Sequence, residues 1–237
     1  MTSPKTRGPT AIGFDADDTL RHAETVFRLT QKRLADLLRD HADPDHLMER
    51  LLEAERRNLA HYGFGVKGCV LSMIETAIGV TDARVPAAPV ATLLEAGYEM
   101  LRHPVDLLPG AEKTVRMLAP THTLIPITMG DLLDQERKLA ESGLWQLFDG
   151  IEMISEKTAR THVSTFDRHG DGPARAPMVG NSMRSGVLPA LEAVAWGVFR
   201  PSGIAWAPET AEGPEAAPSY RRIDTLAALP GPIATLD

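Results

Sequence analysis

Three carboxylates and a hydroxyl, Asp15, Asp17, Asp18 and Thr19, stand within five consecutive residues directly after the apolar stretch Ala11–Phe14. Like charges crowded in one place repel, so folding alone gives no reason to gather them. A metal ion or a cationic group of a substrate would relieve the repulsion. Two acids set two residues apart also suit a division of labour in which one carboxylate attacks as a nucleophile and the other holds or delivers a proton. In a regular strand Asp15 and Asp17 face the same way, and a tight turn just past the strand end aims both into one crevice. The competing reading is an Asp-rich turn that merely ends a strand.

These residues need elements to hold them. Ala11–Phe14 is short, apolar and bounded by Pro9 and the acids, which predicts a buried strand. The C-terminal end of such a strand is where open α/β sheets place their ligands. From Glu24 to Asp40 the spacing turns helical, with Phe27, Leu34 and Leu37 or Leu38 on one side. Asp43-Pro44 predicts a capped helix start, and Leu47, Leu51 and Leu59 continue that helix until Gly63-Phe64-Gly65 breaks it. A third helix is predicted over Val66–Ile78, stopped by Gly79, and a fourth over Pro86–Arg102. Residues 21–105 thus read as one all-helical insert.

Beyond it, strands and helices alternate. Ala111–Leu118 reads as a helix and Thr123–Ile127 as a strand ending at Thr128. Pro126 cannot donate to a ladder, so a bulge or a local loss of pairing is expected there. Asp131–Ser142 predicts a helix with Leu132, Leu139 and Ala140 on one face, ended by Gly143. Strands follow at Gly150–Ile154, Ala176–Val179 and Trp196–Phe199, with a helix over Ser185–Ala195; Pro201–Pro218, rich in Pro, Ala, Gly and Glu, reads as loop. Such alternation predicts an α/β, Rossmann-like parallel sheet core with helices on both faces and right-handed crossovers. The expected division is a core of residues 10–20 and 106–237 around the helical insert.

Phe14-Asp15-Ala16-Asp17-Asp18-Thr19-Leu20 resembles the first motif of the haloacid dehalogenase-like (HAD) superfamily, Asp-x-Asp-x-Thr. Three later segments resemble the other motifs in order: Thr128-Met129-Gly130 the second, Lys157 the third, and Val179-Gly180-Asn181-Ser182-Met183-Arg184-Ser185-Gly186 the fourth. The resemblance runs from about Ile12 to Trp206 and implies a HAD-like hydrolase with a helical cap between motifs one and two. It implies an aspartyl-phosphate on Asp15, a proton delivered and then withdrawn by Asp17, and a phosphate oxygen held by Thr128, Met129 and Gly130. Lys157 and a magnesium ion at Asp15, Asp17 and Asn181 would balance the charge, as phosphoryl transfer demands.

The fourth motif departs from the family pattern. An acid is usual one residue after its glycine or five residues further on, and here those positions hold Asn181 and Gly186. Asn offers a neutral carbonyl oxygen and no charge, so weaker magnesium binding is expected. A catalytically impaired relative that serves as a binding or regulatory module therefore stands as one alternative. A metal-free 2-haloacid dehalogenase, which also uses an Asp nucleophile, stands as another, although the acid at Asp17 suits a phosphate leaving group better. Arg184 reads as solvent-facing, His22 as a loop histidine, and Trp145, Trp196 and Trp206 as packing residues.

Bulk properties narrow the partners. The 237 residues suffice for a large core and an insert. A net charge of -7 argues against nucleic acid, no run is apolar enough for a membrane span, and Met1–Pro9 is polar and reads as a frayed tail rather than a secretory signal. The single cysteine, Cys69, precludes an internal disulfide and points to a reducing compartment, the cytoplasm. A small phosphorylated substrate is the expected partner; substrate identity and oligomeric state are not legible.

Overall fold

The computed structural model describes residues 8–214 and 216–236. In chain order the elements are β1 (Ala11–Phe14), α1 (Glu24–Leu37), α2 (Pro44–Tyr62), α3 (Val66–Val80), α4 (Ala87–Arg102), α5 (Ala111–Leu118) and β2 (Thr123–Thr128). There follow α6 (Leu132–Glu141), β3 (Glu152–Met153), α7 (Ala159–His169), β4 (Pro177–Gly180), α8 (Leu188–Glu192), β5 (Trp196–Phe199), β6 (Tyr220–Arg222) and α9 (Pro230–Ile233). Two compact units result. One comprises the chain up to His22, Val105–Thr128 and everything from Arg137 on; the other comprises Ala23–Pro104 with Met129–Glu136. The frayed tail expected at Met1–Pro9 falls, up to residue 7, outside the described residues.

The first unit is a parallel sheet in the order β3-β2-β1-β4-β5-β6. Side chains of successive strand residues leave on opposite faces. Ile12, Phe14, Leu124, Val179 and Val198 therefore pack on one face with Val115, Leu118, Leu229 and Ile233. Ala11, Ile125, Ile127 and Met178 pack on the other with Phe166 and Ala190. Helices thus cover both faces, as the near-continuous apolar strands require. The strand order reverses between β1 and β4, and a crevice opens at the C-terminal ends of strands at such a switch point.

Pro126 causes neither a bulge nor a break, contrary to expectation: β2 pairs with β1 without interruption, Phe14 opposite Pro126. The reason is alternation. Leu124 exchanges bonds with Asp149 on the outer side of β2, and Thr128 O accepts from Ile154 N on that same side. Pro126 shares their parity, so its missing N–H faces outward, where β3 pairs only from Ile127 onward.

Other expectations shift by identifiable causes. On α6 the buried side chains are Asp134, Gln135 and Leu139, while Leu132 is 60% exposed and Ala140 also faces out; the leucine periodicity misled because the buried side is partly polar. The helix expected at Ser185–Ala195 begins instead as a π-helical turn, Met183–Val187, capped by Ser182, whose Oγ accepts from Ser185 N, before α8. Gly79 does not stop α3; the turn after Val80 is made by Asp82 and Ala83 in the left-handed region. The sixth strand had no sequence signal. Its residues Arg221 and Arg222 lay their guanidinium groups over Trp196 and Phe199, so a polar edge strand sits beside β5.

The second unit is helical. Asp43 caps α2, accepting from Asp45 N and His46 N. Leu34, Leu38, Leu47, Leu51, Met73 and Leu93 form its centre. No helix among the described residues is long and apolar enough to cross a membrane.

Gly13 lies where a Cβ would come within 2.9 Å of Ile127 Cδ1 and 3.0 Å of Phe166 Cζ. Gly13→Ala should therefore cost about 1–3 kcal/mol by overpacking, read as a lower midpoint in urea unfolding; an unchanged midpoint would show that the β1–α7 packing is looser than described.

Candidate functional site

Asp15 follows β1 directly, and its N–H donates to Val179 O of β4, so the backbone at the switch point is tied across the two strands. Its carboxylate is buried. Oδ1 accepts from Ala16 N at 2.9 Å and from Lys157 Nζ at 2.5 Å. Lys157 is itself 4% exposed, unlike most lysines, which stay in solvent. It stands one residue before Thr158, which caps α7: Thr158 Oγ1 accepts from Thr161 N, and Thr161 Oγ1 accepts from Thr158 N. That reciprocal cap fixes where the chain turns and so where Lys157 begins. Burial pushes the Asp15 carboxyl up; Lys157 pulls it down, and the neighbouring charges of Asp17 and Glu209 add to the rise.

Asp17 is turned to cations of the chain itself. Arg21 Nε donates to its Oδ1 at 2.7 Å, and Lys138 Nζ lies 3.9 Å from its Oδ2. Arg21 is almost wholly buried. The turn between them is tight: Asp18 sits in the left-handed region and its N–H donates to Arg21 O. The repulsion inferred from the sequence is therefore met largely by Lys157, Arg21 and Lys138, rather than by a visiting cation alone. Arg21 lies four residues from Asp17, a spacing that could have been read; Lys138 carried no signal.

Asn181 follows β4 and faces the first motif. Its N–H donates to Thr19 Oγ1 at 3.0 Å. With its carboxamide turned one way, the NH2 donates to Asp15 Oδ2 and to the Asp17 carbonyl, each at 3.2 Å. Turned the other way, its oxygen accepts from Thr19 Oγ1 at 3.0 Å and joins those two oxygens as a third acceptor. In the first orientation the NH2 satisfies the Asp15 and Asp17 oxygens by itself; in the second, three oxygens face one another with no donor among them, which a hard cation would satisfy. With the amide oxygen turned inward, Asp15, the Asp17 carbonyl and Asn181 thus fit a magnesium ion, with a carboxylate charge from Asp15 alone. No group of three or more His, Cys, Asp or Glu side chains with metal-binding geometry exists among the described residues.

The fourth motif continues past Asn181 with Ser182 and Ser185, both of whose Oγ atoms donate to Glu209 Oε2. Glu209 lies in the segment read as plain loop, within a short helical turn, Ala207–Glu209. Sequence reasoning missed it, and also missed His162 of α7, a buried ring. Burial first, then the charge of Lys157, lowers the His162 pKa to about 4, against the pull of the Ser185 backbone, so it stands neutral there. Arg184 is exposed as expected.

Thr128 is buried at the end of β2, with Thr128 opposite Met153, and so shares the C-terminal edge of the sheet with Asp15 and Asn181. Met129 and Gly130 continue the chain into the helical unit; Gly130 has φ +126, and a Cβ there would stand 3.1 Å from Gln135 Nε2. His22 is exposed, its N–H donating to Asp106 O, as suits a loop histidine.

A solved haloacid dehalogenase-like family hydrolase from Xanthomonas campestris shares 34% identity with this chain, over all of it and 95% of that protein, with a TM-score of 0.87. The chain belongs to the HAD-like hydrolase family. Two more distant likenesses support the fold. YfnB of Bacillus subtilis, named as a HAD-hydrolase and bound to magnesium, is 15% identical at a TM-score of 0.68, over 95% of this chain and 99% of that one. L-2-haloacid dehalogenase of Xanthobacter autotrophicus, with chloropropionic acid covalently bound, is 16% identical at a TM-score of 0.66, over 97% and 100%. No family model matches the sequence, and neither does any curated protein.

In this HAD-like site, Asn181→Asp would set a carboxylate against Asp15 Oδ2 and the Asp17 carbonyl and remove the NH2 that can serve both when no cation is bound. Without metal the variant should lose about 1–3 kcal/mol of stability. Millimolar magnesium should restore its melting temperature by more than it raises that of the native protein. A variant as stable as the native protein in chelator would contradict the assigned amide contacts.

Proposed function

We propose that this HAD-like hydrolase cleaves phosphomonoesters of a small metabolite through an aspartyl-phosphate on Asp15. The observation that carries the reading is the buried Lys157 Nζ on Asp15 Oδ1, at the end of β1, two residues ahead of a second carboxylate. Lys157 orients the Asp15 carboxylate and offsets the charge of an arriving phosphate. Asp15 attacks phosphorus, and Asp17 delivers a proton to the departing oxygen and later withdraws one from water. Arg21 and Lys138 fix the direction of the Asp17 carboxyl, which carries the proton when the ester bond breaks and is left as the anion that then takes one from water, and Thr128, Met129 and Gly130 bind the phosphate oxygens. A magnesium ion, held by Asp15, the Asp17 carbonyl and Asn181, would supply further charge neutralisation. Ala23–Pro104 acts as the cap that selects the substrate, and the buried Cys69 accords with a cytoplasmic setting.

Two other readings remain distinct in outcome. An impaired binding module is favoured by Asn181 and Gly186 in place of acids. A metal-free 2-haloacid dehalogenase shares the Asp nucleophile, and Asp17 speaks against it.

The test is turnover of a phosphomonoester panel with magnesium. Asp15→Asn should remove activity by roughly a thousandfold or more; equal rates in native and variant protein would end the reading. Asp17→Asn should slow alkyl phosphates far more than aryl phosphates whose leaving groups need no proton, by about 10²–10⁴-fold for the former. Chloride release from 2-haloacids in the presence of chelator, with no phosphatase activity, would instead establish the dehalogenase.

A further inference from the structure

The donor set at Asp15 has one deficiency. Asp15 brings a carboxylate, while Asn181 and the Asp17 carbonyl are neutral, and the Asp17 carboxylate is turned to Arg21 and Lys138. Gly186, where an acid would stand in the family pattern, is bare. A Cβ there would meet nothing nearer than Gly180 Cα at 3.9 Å, and a Cβ on Gly180 would in turn lie 3.5 Å from Asp15 Cβ and 4.0 Å from its Oδ2. The gap therefore opens beside Asp15.

A carboxylate is bound next to this gap. Ser182 and Ser185, which adjoin Asn181 and Gly186, both donate to Glu209 Oε2, and the Glu209 carbonyl lies 3.1 Å from Ser182 Oγ. We propose that Glu209, reaching back from the turn after β5, supplies the negative charge that the fourth motif lacks at Gly186 and thereby lets the Asp15 crevice hold a divalent cation. A divalent ion beside Lys157 needs more than one opposing charge, because the lysine already offsets Asp15. Two serine hydroxyls on one carboxylate oxygen hold the charge in place without neutralising it. The inference rests on the magnesium part of the proposed function and is independent of which substrate is cleaved.

Glu209→Gln separates this role from a merely structural tie, since the amide oxygen still accepts from both serines but the charge is gone. Magnesium titration by calorimetry should show affinity lowered at least tenfold, with melting in chelator unchanged, as removal of an outer partner of a metal site typically gives. Adding Gly186→Asp to that variant should restore the affinity. If Glu209→Gln does not fold, Glu209→Asp draws the charge back by one methylene and is read in its place, with weakened binding expected. The inference is overturned if the substituted protein binds magnesium as tightly as the native one, or if the native protein binds none at millimolar metal. Native binding that depends on Glu209, in a protein that turns over no phosphomonoester, would uphold this inference and defeat the phosphatase reading alone.

Discussion

The structure depends on a buried ion pair. Asp15 and Lys157 meet at 2.5 Å with almost no exposure to water, at the point where the sheet order reverses. Taking two charges out of water is costly, and a buried pair is often no more stabilising than apolar residues of the same volume. Stability is thus a poor reason for its presence. What the pair does provide is a carboxylate of fixed direction, shielded from water, with a cation held against it. The elements around it serve that placement: β1 and β4 tie the Asp15 backbone, and the reciprocal threonine cap of α7 places Lys157.

Around the pair, charge is arranged in layers. Arg21 and Lys138 face Asp17, Lys157 faces Asp15, and Glu209 adds a further negative group behind the fourth motif. Asn181 closes the arrangement with an amide that either donates to the Asp15 and Asp17 oxygens or turns its own oxygen among them. A neutral amide at this position makes the crevice tolerable with or without a cation, because it can offer a proton or a lone pair to the same neighbours. A carboxylate there could offer only lone pairs at neutral pH. An amide in place of an acid therefore changes how the site behaves when empty as much as the charge it would offer a cation.

Much of the fold was legible because its signals are local. Ala111–Leu118 and Trp196–Phe199 were read to the residue, since apolar periodicity and bounding turns suffice for them. Expectations failed where a neighbour overrides the local pattern. Pro126 is accommodated because its missing donor faces a side where β3 has not yet begun to pair. Spacing puts Leu132, Leu139 and Ala140 on one face of α6, whereas only Leu139 of these is buried and Asp134 and Gln135 are buried with it. The edge strand β6 is held by guanidinium stacking on Trp196 and Phe199, which no alternation of apolar residues announces.

By itself the sequence determined the order of the first five strands with the helices between them, the helical insert, and the four segments whose acids, threonine and lysine mark a HAD-like hydrolase. Those features lie within short stretches, where side-chain period and residue type carry the information. Only the tertiary structure decided which charges meet. Lys157 reaches Asp15 across 142 positions of chain, and Glu209 comes back to Ser182 and Ser185 from a segment that reads as loop. Charge interactions act through distance in space and through burial, and neither is set by separation along the chain.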